Sequence, residues 1–340
     1  MANTTRALLT PSYKKEYYDN QLLYTAEKRL VWTQLGQRNL NVPSGENAYA
    51  VVWTRYENLG DRSNPESEGI ATTAEAMSAT RVTGTVSQYA GAVKLTDLLV
   101  ATSKDDLKKI AFQRLGYQAG RDIDKVVRNV AAIGGTRVMA GVTAGTFLAL
   151  WSTVPRTAVL SVTQLRRAIR DLDRSGAIPI GSNMRPNGEK GLATNINGSW
   201  LAVTGSDSIY DLQGDTSTGA WIYANAYAGS DKLFTGEVGK MYGIRFLQSG
   251  QPYIKNENST YQSAIATSGE VHCTLVTGAD YFGVTKLQNL ETYFHDFGSS
   301  GVNDPTNKLA SAAWKTTFGT RVLNANFAKS IYHSIGRNAE

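Results

Sequence analysis

The sequence predicts an α+β fold, and three observations carry that prediction. Ser103 to Ile133 places apolar residues at steps of three or four, the period of a long amphipathic helix. Two β-type runs, Asn47 to Tyr56 and Thr80 to Leu95, flank a polar, turn-rich stretch. The remainder of the chain is a series of short apolar strands separated by loops rich in Gly, Ser and Asn.

Composition narrows the function classes. The chain has 340 residues, 41% of them hydrophobic, enough for two or three domains with a sizeable core. Lys and Arg outnumber Asp and Glu by 35 to 29, a net charge of +6. That balance suits contact with a polyanion, but the dense Lys/Arg blocks of a dedicated DNA reader are missing. A single cysteine, Cys273, excludes an intrachain disulfide framework. Met1 to Thr10 has no long apolar segment of the signal-peptide kind, and no window reaches the 18 or so apolar residues of a membrane helix. The expectation is a protein made and used in a reducing cytoplasm, with no membrane partner.

In order along the chain, Thr10-Pro11 is a good helix start. From there to Leu35, Tyr13, Tyr17, Leu22, Tyr24, Leu30, Val31 and Trp32 wrap much of the helix instead of forming one stripe. Such a terminal helix needs a surface from elsewhere, and two readings stay open: docking onto its own chain, or an arm over a neighbouring subunit. The next element is the pair of β-type runs, with Tyr49, Val51 and Trp53 on one face and Ala50, Val52 and Thr54 on the other. Between them, Gly60 to Ala79 carries Asp61, Glu66 and Glu68, which gives the excursion an acidic tip. An isolated two-stranded hairpin is marginal in water, so something must cover this one.

The long helix comes next, with Ser103 as the expected N-cap, Asp106 three residues on, and Gly134-Gly135 closing it. Leu107, Ile110, Ala111, Leu115, Ala119, Ile123, Val126, Val130 and Ile133 form its expected stripe, flanked by a cationic row of Arg114, Arg121, Lys125 and Arg128. A second helix begins at Ser161 or Thr163 and runs to about Ser175, with Leu165, Ala168, Ile169 and Leu172 inward and Arg166, Arg167 and Arg170 outward. Strands follow at Trp200 to Thr204, Met241 to Leu247, Val271 to Gly278, Gln288 to Phe297 and Trp314 to Ile331.

The residues of catalysis do not assemble into any familiar pattern. His272, His295 and His333 have no metal-ligand spacing, and His272 and Cys273 are adjacent strand residues that face opposite ways. Neither a Gly-x-Ser-x-Gly elbow nor a phosphate-binding loop is present. Asp105/Asp106 and Asp122/Asp124 read as helix capping and as ion pairing with Lys and Arg on the long helix. No catalytic residue, metal site or cofactor is expected.

Three stretches carry a resemblance. These are Gly236-Glu-Val-Gly-Lys-Met-Tyr-Gly-Ile-Arg-Phe, Leu275-Val-Thr-Gly-Ala-Asp-Tyr-Phe-Gly, and Asp304-Pro-Thr-Asn-Lys-Leu-Ala-Ser-Ala-Ala-Trp-Lys-Thr-Thr-Phe-Gly. Together with the order of elements, they make the chain resemble the tailed-phage major capsid proteins of the Hong Kong 97-type fold, in the branch of N-four-like phages. The sequence departs from the family wording at Thr306 and Ala313.

The resemblance implies an N-arm over residues 1–45, an extended β-hairpin E-loop over 46–100, and a P-domain with a spine helix over 101–160. An A-domain over 161–287 and a C-terminal return to the P-domain over 288–340 complete the implied plan. The implied function is self-assembly into hexamers and pentamers of an icosahedral shell around a double-stranded DNA genome, built in the host cytoplasm and ending in the virion. Implied partners are the chain itself, packaged DNA held without sequence readout, a portal, a separate scaffolding protein and, in some systems, a decoration protein. Inter-subunit contacts are expected at Tyr13, Tyr17, Tyr24 and Trp32 of the arm, and between the acidic tip (Asp61, Glu66, Glu68) and the row Arg114, Arg121, Lys125 and Arg128. An encapsulin-like compartment shell is the alternative with the same fold.

Overall fold

The computed structural model describes residues 22, 30–39, 50–56, 59, 74–141, 154–155, 157–180, 198–214, 221–224, 234, 236–255, 270–299 and 305–336. In chain order the strands are β1 (Gln37–Asn39), β2 (Ala50–Tyr56), β3 (Ala79–Thr85), β4 (Ser87–Thr96), β5 (Thr136–Met139), β6 (Trp200–Thr204) and β7 (Ile222–Tyr223). They continue as β8 (Glu237–Met241), β9 (Ile244–Gln248), β10 (Tyr253–Lys255), β11 (Val271–Thr277), β12 (Phe282–His295), β13 (Leu309–Val322) and β14 (Ala328–His333). The helices are α1 (Asp97–Thr102), α2 (Leu107–Gly134), α3 (Val162–Arg174) and α4 (Ser206–Gly214).

The strands form two large sheets and one ribbon. The first sheet has the order β1-β12-β13-β4, and the ribbon is β2 paired antiparallel with β3. The second sheet runs β5-β14-β11-β6-β9-β8-β7, with β10 also on β11. β6, β11 and β14 are buried at every residue, which requires cover on both faces. α3 supplies one cover: Leu165, Ala168 and Leu172 pack on Ala202, Phe246, Val276 and Ile331. α2 supplies the other, since Val127 and Ala131 join Leu201, Val203, Leu247 and Leu275. Strand alternation divides the residues, with Ala202 and Val276 facing α3 while their neighbours Leu201, Val203 and Leu275 face α2.

α2 is 28 residues long, or about 42 Å, and it spans both sheets. Its first half rests on the first sheet, where Phe112, Leu115 and Ala119 meet Ala312 and Trp314. Its buried face differs from the expected stripe: Phe112, Gly116, Gly120, Asp124, Val127 and Arg128 are inside, while Ile110 and Ile133 are exposed. The start also differs. Asp106 is the N-cap and accepts from Lys109 N–H at 3.2 Å, and Ser103 instead ends α1. Gly134 and Gly135 close the helix for steric reasons and not through a left-handed turn. A Cβ on Gly134 would run into Val322, and one on Gly135 would lie 2.6 Å from Ser330 Oγ.

Three expected strands or runs are divided. Thr80 to Leu95 breaks near Val86, so that β3 belongs to the ribbon and β4 to the first sheet. Met241 to Leu247 is a tight hairpin, because Tyr242 and Gly243 both take positive φ (49° and 77°), the geometry a two-residue turn needs. Trp314 to Ile331 is β13 followed by β14. Leu323 and Asn324 donate to Tyr281 O at 2.8 and 3.2 Å, and this turn carries the chain from one sheet to the other. The expected helix at 161–175 is present as α3, with Gln164 Oε1 accepting from Ser161 N–H at 3.1 Å. Trp200–Thr204 and Val271–Thr277 are strands with close to the expected limits.

The ribbon is fastened at its root by Trp53. A Cβ on Gly84 of β3 or on Gly283 of β12 would lie 2.6 or 2.7 Å from the indole, so both positions must stay bare. Gly283→Ala is expected to cost about 1–3 kcal/mol by overpacking, read as a lower urea midpoint with an unchanged slope.

Candidate functional site

Among the described residues, no group of three or more His, Cys, Asp or Glu is arranged to hold a metal ion. Two of the buried titratable groups, His333 and Asp124, are held by structural hydrogen bonds. His333 is fully buried, and its Nδ1 lies 2.8 Å from the Ser334 carbonyl, which makes Nδ1 the donor. Its Nε2 therefore accepts from Thr274 Oγ1 at 2.9 Å, and Thr274 in turn accepts from Thr204 at 2.7 Å. Burial lowers the His333 pKa to about 4. His272 faces it across the β11–β14 ladder, ring centroids 6.4 Å apart, a neighbourhood that the sequence separation of these histidines conceals. Cys273 is buried, and its thiol is pushed up to about 12 by desolvation, the wrong direction for a nucleophile.

The largest departure from the expected polar roles is Asp124. Its carboxylate is 2% exposed, and Oδ1 accepts from Val31 N–H at 3.0 Å and Trp32 N–H at 2.8 Å. Burial raises its pKa to about 7, against the opposing pull of those backbone donors and of Arg128. Asp124 thus serves a distant segment and not the ion pairing along the helix that its sequence context suggests.

What the described surface offers instead is exposed apolar residues on several elements, α1 (Leu98, Leu99) and α4 (Tyr210) among them, and on one thin element. Val52, Tyr56 and Met77, on or beside the β2–β3 ribbon, are 48%, 64% and 68% exposed, and Leu59 is 53% exposed. The ribbon pairs only with itself among the described strands. A two-stranded element of this kind has no second layer to bury its outer face.

No family model and no curated protein matches the sequence. Solved structures do match, over nearly the whole chain. The capsid of Ralstonia phage GP4 superposes with a TM-score of 0.66 at 13% identity, covering 91% of this chain and 90% of that one. The cyanophage Pam1 capsid gives 0.61 at 14% identity, with 88% of each chain covered. The chain has the Hong Kong 97-type capsid fold. The head of Helicobacter pylori bacteriophage KHP40 is a further example, with a TM-score of 0.55 at 11% identity over 84% of this chain and 85% of that one.

Within this capsid fold, the residues singled out from the sequence separate into groups. Tyr13, Tyr17, Tyr24, Asp61, Glu66 and Glu68 lie outside the described residues. Trp32 is corrected from a neighbour-facing residue to a core residue. It is fully buried in its own chain, and its Nε1 donates to Ser249 Oγ at 3.1 Å. Arg128 is likewise corrected from the cationic row. It is 2% exposed, donates to Pro252 O at 2.9 Å and to Asn129 Oδ1, and lies over the Tyr253 ring. The cause is the β10 segment, which passes over the second half of α2 and buries that end of the row. Arg114 and Arg121 remain exposed, the latter with its guanidinium 5.9 Å from the Tyr117 ring, and Lys125 is half-buried. Sequence reasoning took Asp124 for an ion-pairing residue and missed its bonds to Val31 and Trp32, which no local signal marks.

Asp124 and His333 give opposite pH dependences. Asp124 has a raised folded pKa, so its contribution to stability is full below about 4 and is lost as pH rises toward about 7. His333 has a lowered one, so its contribution is full above about 6.5 and is lost as pH falls toward about 4. Relative to wild type, Asp124→Asn is expected to lose stability on acidification across this window and His333→Gln to gain it, measured as Tm against pH. Cys273 is expected to resist a thiol reagent in the native protein and to react fully once the chain is unfolded.

Proposed function

We propose that this chain is the major capsid protein of a tailed bacteriophage, self-assembling into the hexamers and pentamers of an icosahedral shell around a double-stranded DNA genome. The observation that carries this reading is the agreement with the GP4 phage capsid along 91% of the chain. The exposed apolar residues on the outer face of the ribbon, Val52 and Tyr56, add a physical reason for assembly. At roughly 25 cal/mol per Å² of apolar area, modest contacts repeated around every subunit sum to a stable shell. The role is architectural and not catalytic, and its place is the virion.

On this reading residues 1–45 are the N-arm, 46–100 the E-loop, 101–160 the P-domain with α2 as spine, 161–287 the A-domain and 288–340 the return to the P-domain. Portal, separate scaffolding protein, any decoration protein and packaged DNA are the further partners, with DNA held through phosphate contacts alone. The acidic tip at Asp61, Glu66 and Glu68 meets Arg114, Arg121 and Lys125 of a neighbouring copy, while Arg128 takes no part because it is buried.

Electron microscopy of the expressed chain, with its scaffolding protein where one is needed, is expected to show closed shells of uniform size. A monodisperse monomer under every condition would refute the reading, and shells filled with protein cargo in place of genome would favour an encapsulin-like compartment. Glu66→Lys with Glu68→Lys is expected to suppress assembly at low salt, and Arg114→Glu with Arg121→Glu to restore it in part. Normal assembly of the double lysine variant at all salt concentrations would remove the tip-to-row pairing.

A further inference from the structure

Trp32–Gln34 is a 3₁₀ turn, and a turn start leaves its first N–H groups without partners inside the turn. Val31 holds the N-cap position and has no side-chain acceptor to offer them. The acceptor comes from α2: Asp124 Oδ1 takes the N–H groups of Val31 and Trp32, 93 and 92 residues distant in sequence. Asp has no advantage in a helix interior, where its short polar side chain competes with the backbone. Its use at this position lies in those two distant donors.

The same segment is held at further points. The Trp32 indole is buried and bound to Ser249 Oγ, which also accepts from Gln251 N–H at 3.1 Å. Gly36 packs where a Cβ would lie 2.5 Å from Val284, and β1 then pairs in parallel with Gly283 to Thr285 of β12. This stitched segment stands in the sequence between the first 29 residues and the β2–β3 ribbon.

We infer that Asp124 is a remote N-cap that positions the Leu30–Asn39 junction on the spine helix, and thereby sets where β1 meets β12 on the way to the ribbon. The cap is a positioning device for assembly, so its role in the shell rests on the function proposed above, while the cap itself does not. Asp124→Ala removes the acceptor. Asp124→Asn keeps an oxygen of the same reach and is the conservative control.

The experiment is hydrogen exchange on the unassembled full chain, followed by assembly of the same preparations. Asp124→Ala is expected to speed exchange at Val31 and Trp32 by about tenfold or more, leaving β6, β11 and β14 protected, and to lower the yield of closed shells. Asp124→Asn is expected to restore both readouts. Ser249→Ala, which removes the acceptor shared by the indole and Gln251 N–H and leaves Asp124 in place, is expected to act in the same direction to a smaller extent and keeps the test open if Asp124→Ala does not fold. Unchanged exchange at Val31 and Trp32 would overturn the cap. Loss of protection throughout the second sheet in both Asp124→Ala and Ser249→Ala would reduce Asp124 to an ordinary core residue. Fast local exchange with undiminished shells would overturn the positioning role. If wild type forms no shells at all, the proposed function fails while the exchange result still decides the cap.

Discussion

One helix is buried against two sheets at once, and the rest of the described structure depends on that contact. Phe112, Leu115 and Ala119 hold α2 to Trp314 of the first sheet, while Val127 and Ala131 hold it to Leu201, Val203 and Leu275 of the second. Its buried face is lined largely by small residues, Ala111, Gly116, Ala119, Gly120, Ala131 and Ala132. Glycine inside a helix costs about 1 kcal/mol against alanine, and the apolar contacts that α2 makes with both sheets outweigh that cost. The crossing from β13 to β14 then needs only a short turn, because both sheets already lie against the same rod.

Burial on both faces of the second sheet imposes a second constraint. Polar side chains there must find partners inside the protein, since an unpaired buried group costs as much as a lost hydrogen bond. The run from Thr204 through Thr274 to His333 and the Ser334 carbonyl meets this demand, with the histidine held neutral by its surroundings. Asp124 and Arg128 meet it in another way, by satisfying backbone groups of Val31, Trp32 and Pro252. These interior polar groups are structural. Exposed large apolar residues are spread over the ribbon (Val52, Tyr56), α1 (Leu98, Leu99), the two ends of α2 (Ile110, Ile133), α4 (Tyr210) and β7 (Ile222, Tyr223).

Much of the local structure was legible in the residues. The period of α2, the capped amphipathic α3, the apolar strands at Trp200–Thr204 and Val271–Thr277, and the alternation of β2 all follow from short-range chemistry. The misreadings share one cause, which is that several faces of an element can be apolar and only packing chooses among them. On α2 the expected stripe through Ile110 and Ile133 is as apolar as the true one, yet Phe112 and Val127 face the sheets. Trp314 to Ile331 carries apolar positions on both sides of the break (Trp314, Phe318, Val322, Phe327, Ile331), and nothing local tells that Tyr281 O awaits the amides of Leu323 and Asn324.

By itself, the sequence determined the α+β class, the long helix, the absence of familiar catalytic motifs and the resemblance to phage shell subunits, because each rests on residue type and spacing along one stretch. Only the tertiary structure decided that Trp32 is a core residue, that Arg128 leaves the cationic row, that His272 and His333 are neighbours, and that Asp124 caps a turn more than ninety residues away. Those are meetings between segments far apart in the chain. Hydrogen bonding and burial at such meetings depend on where folding brings the partners, which no local pattern encodes.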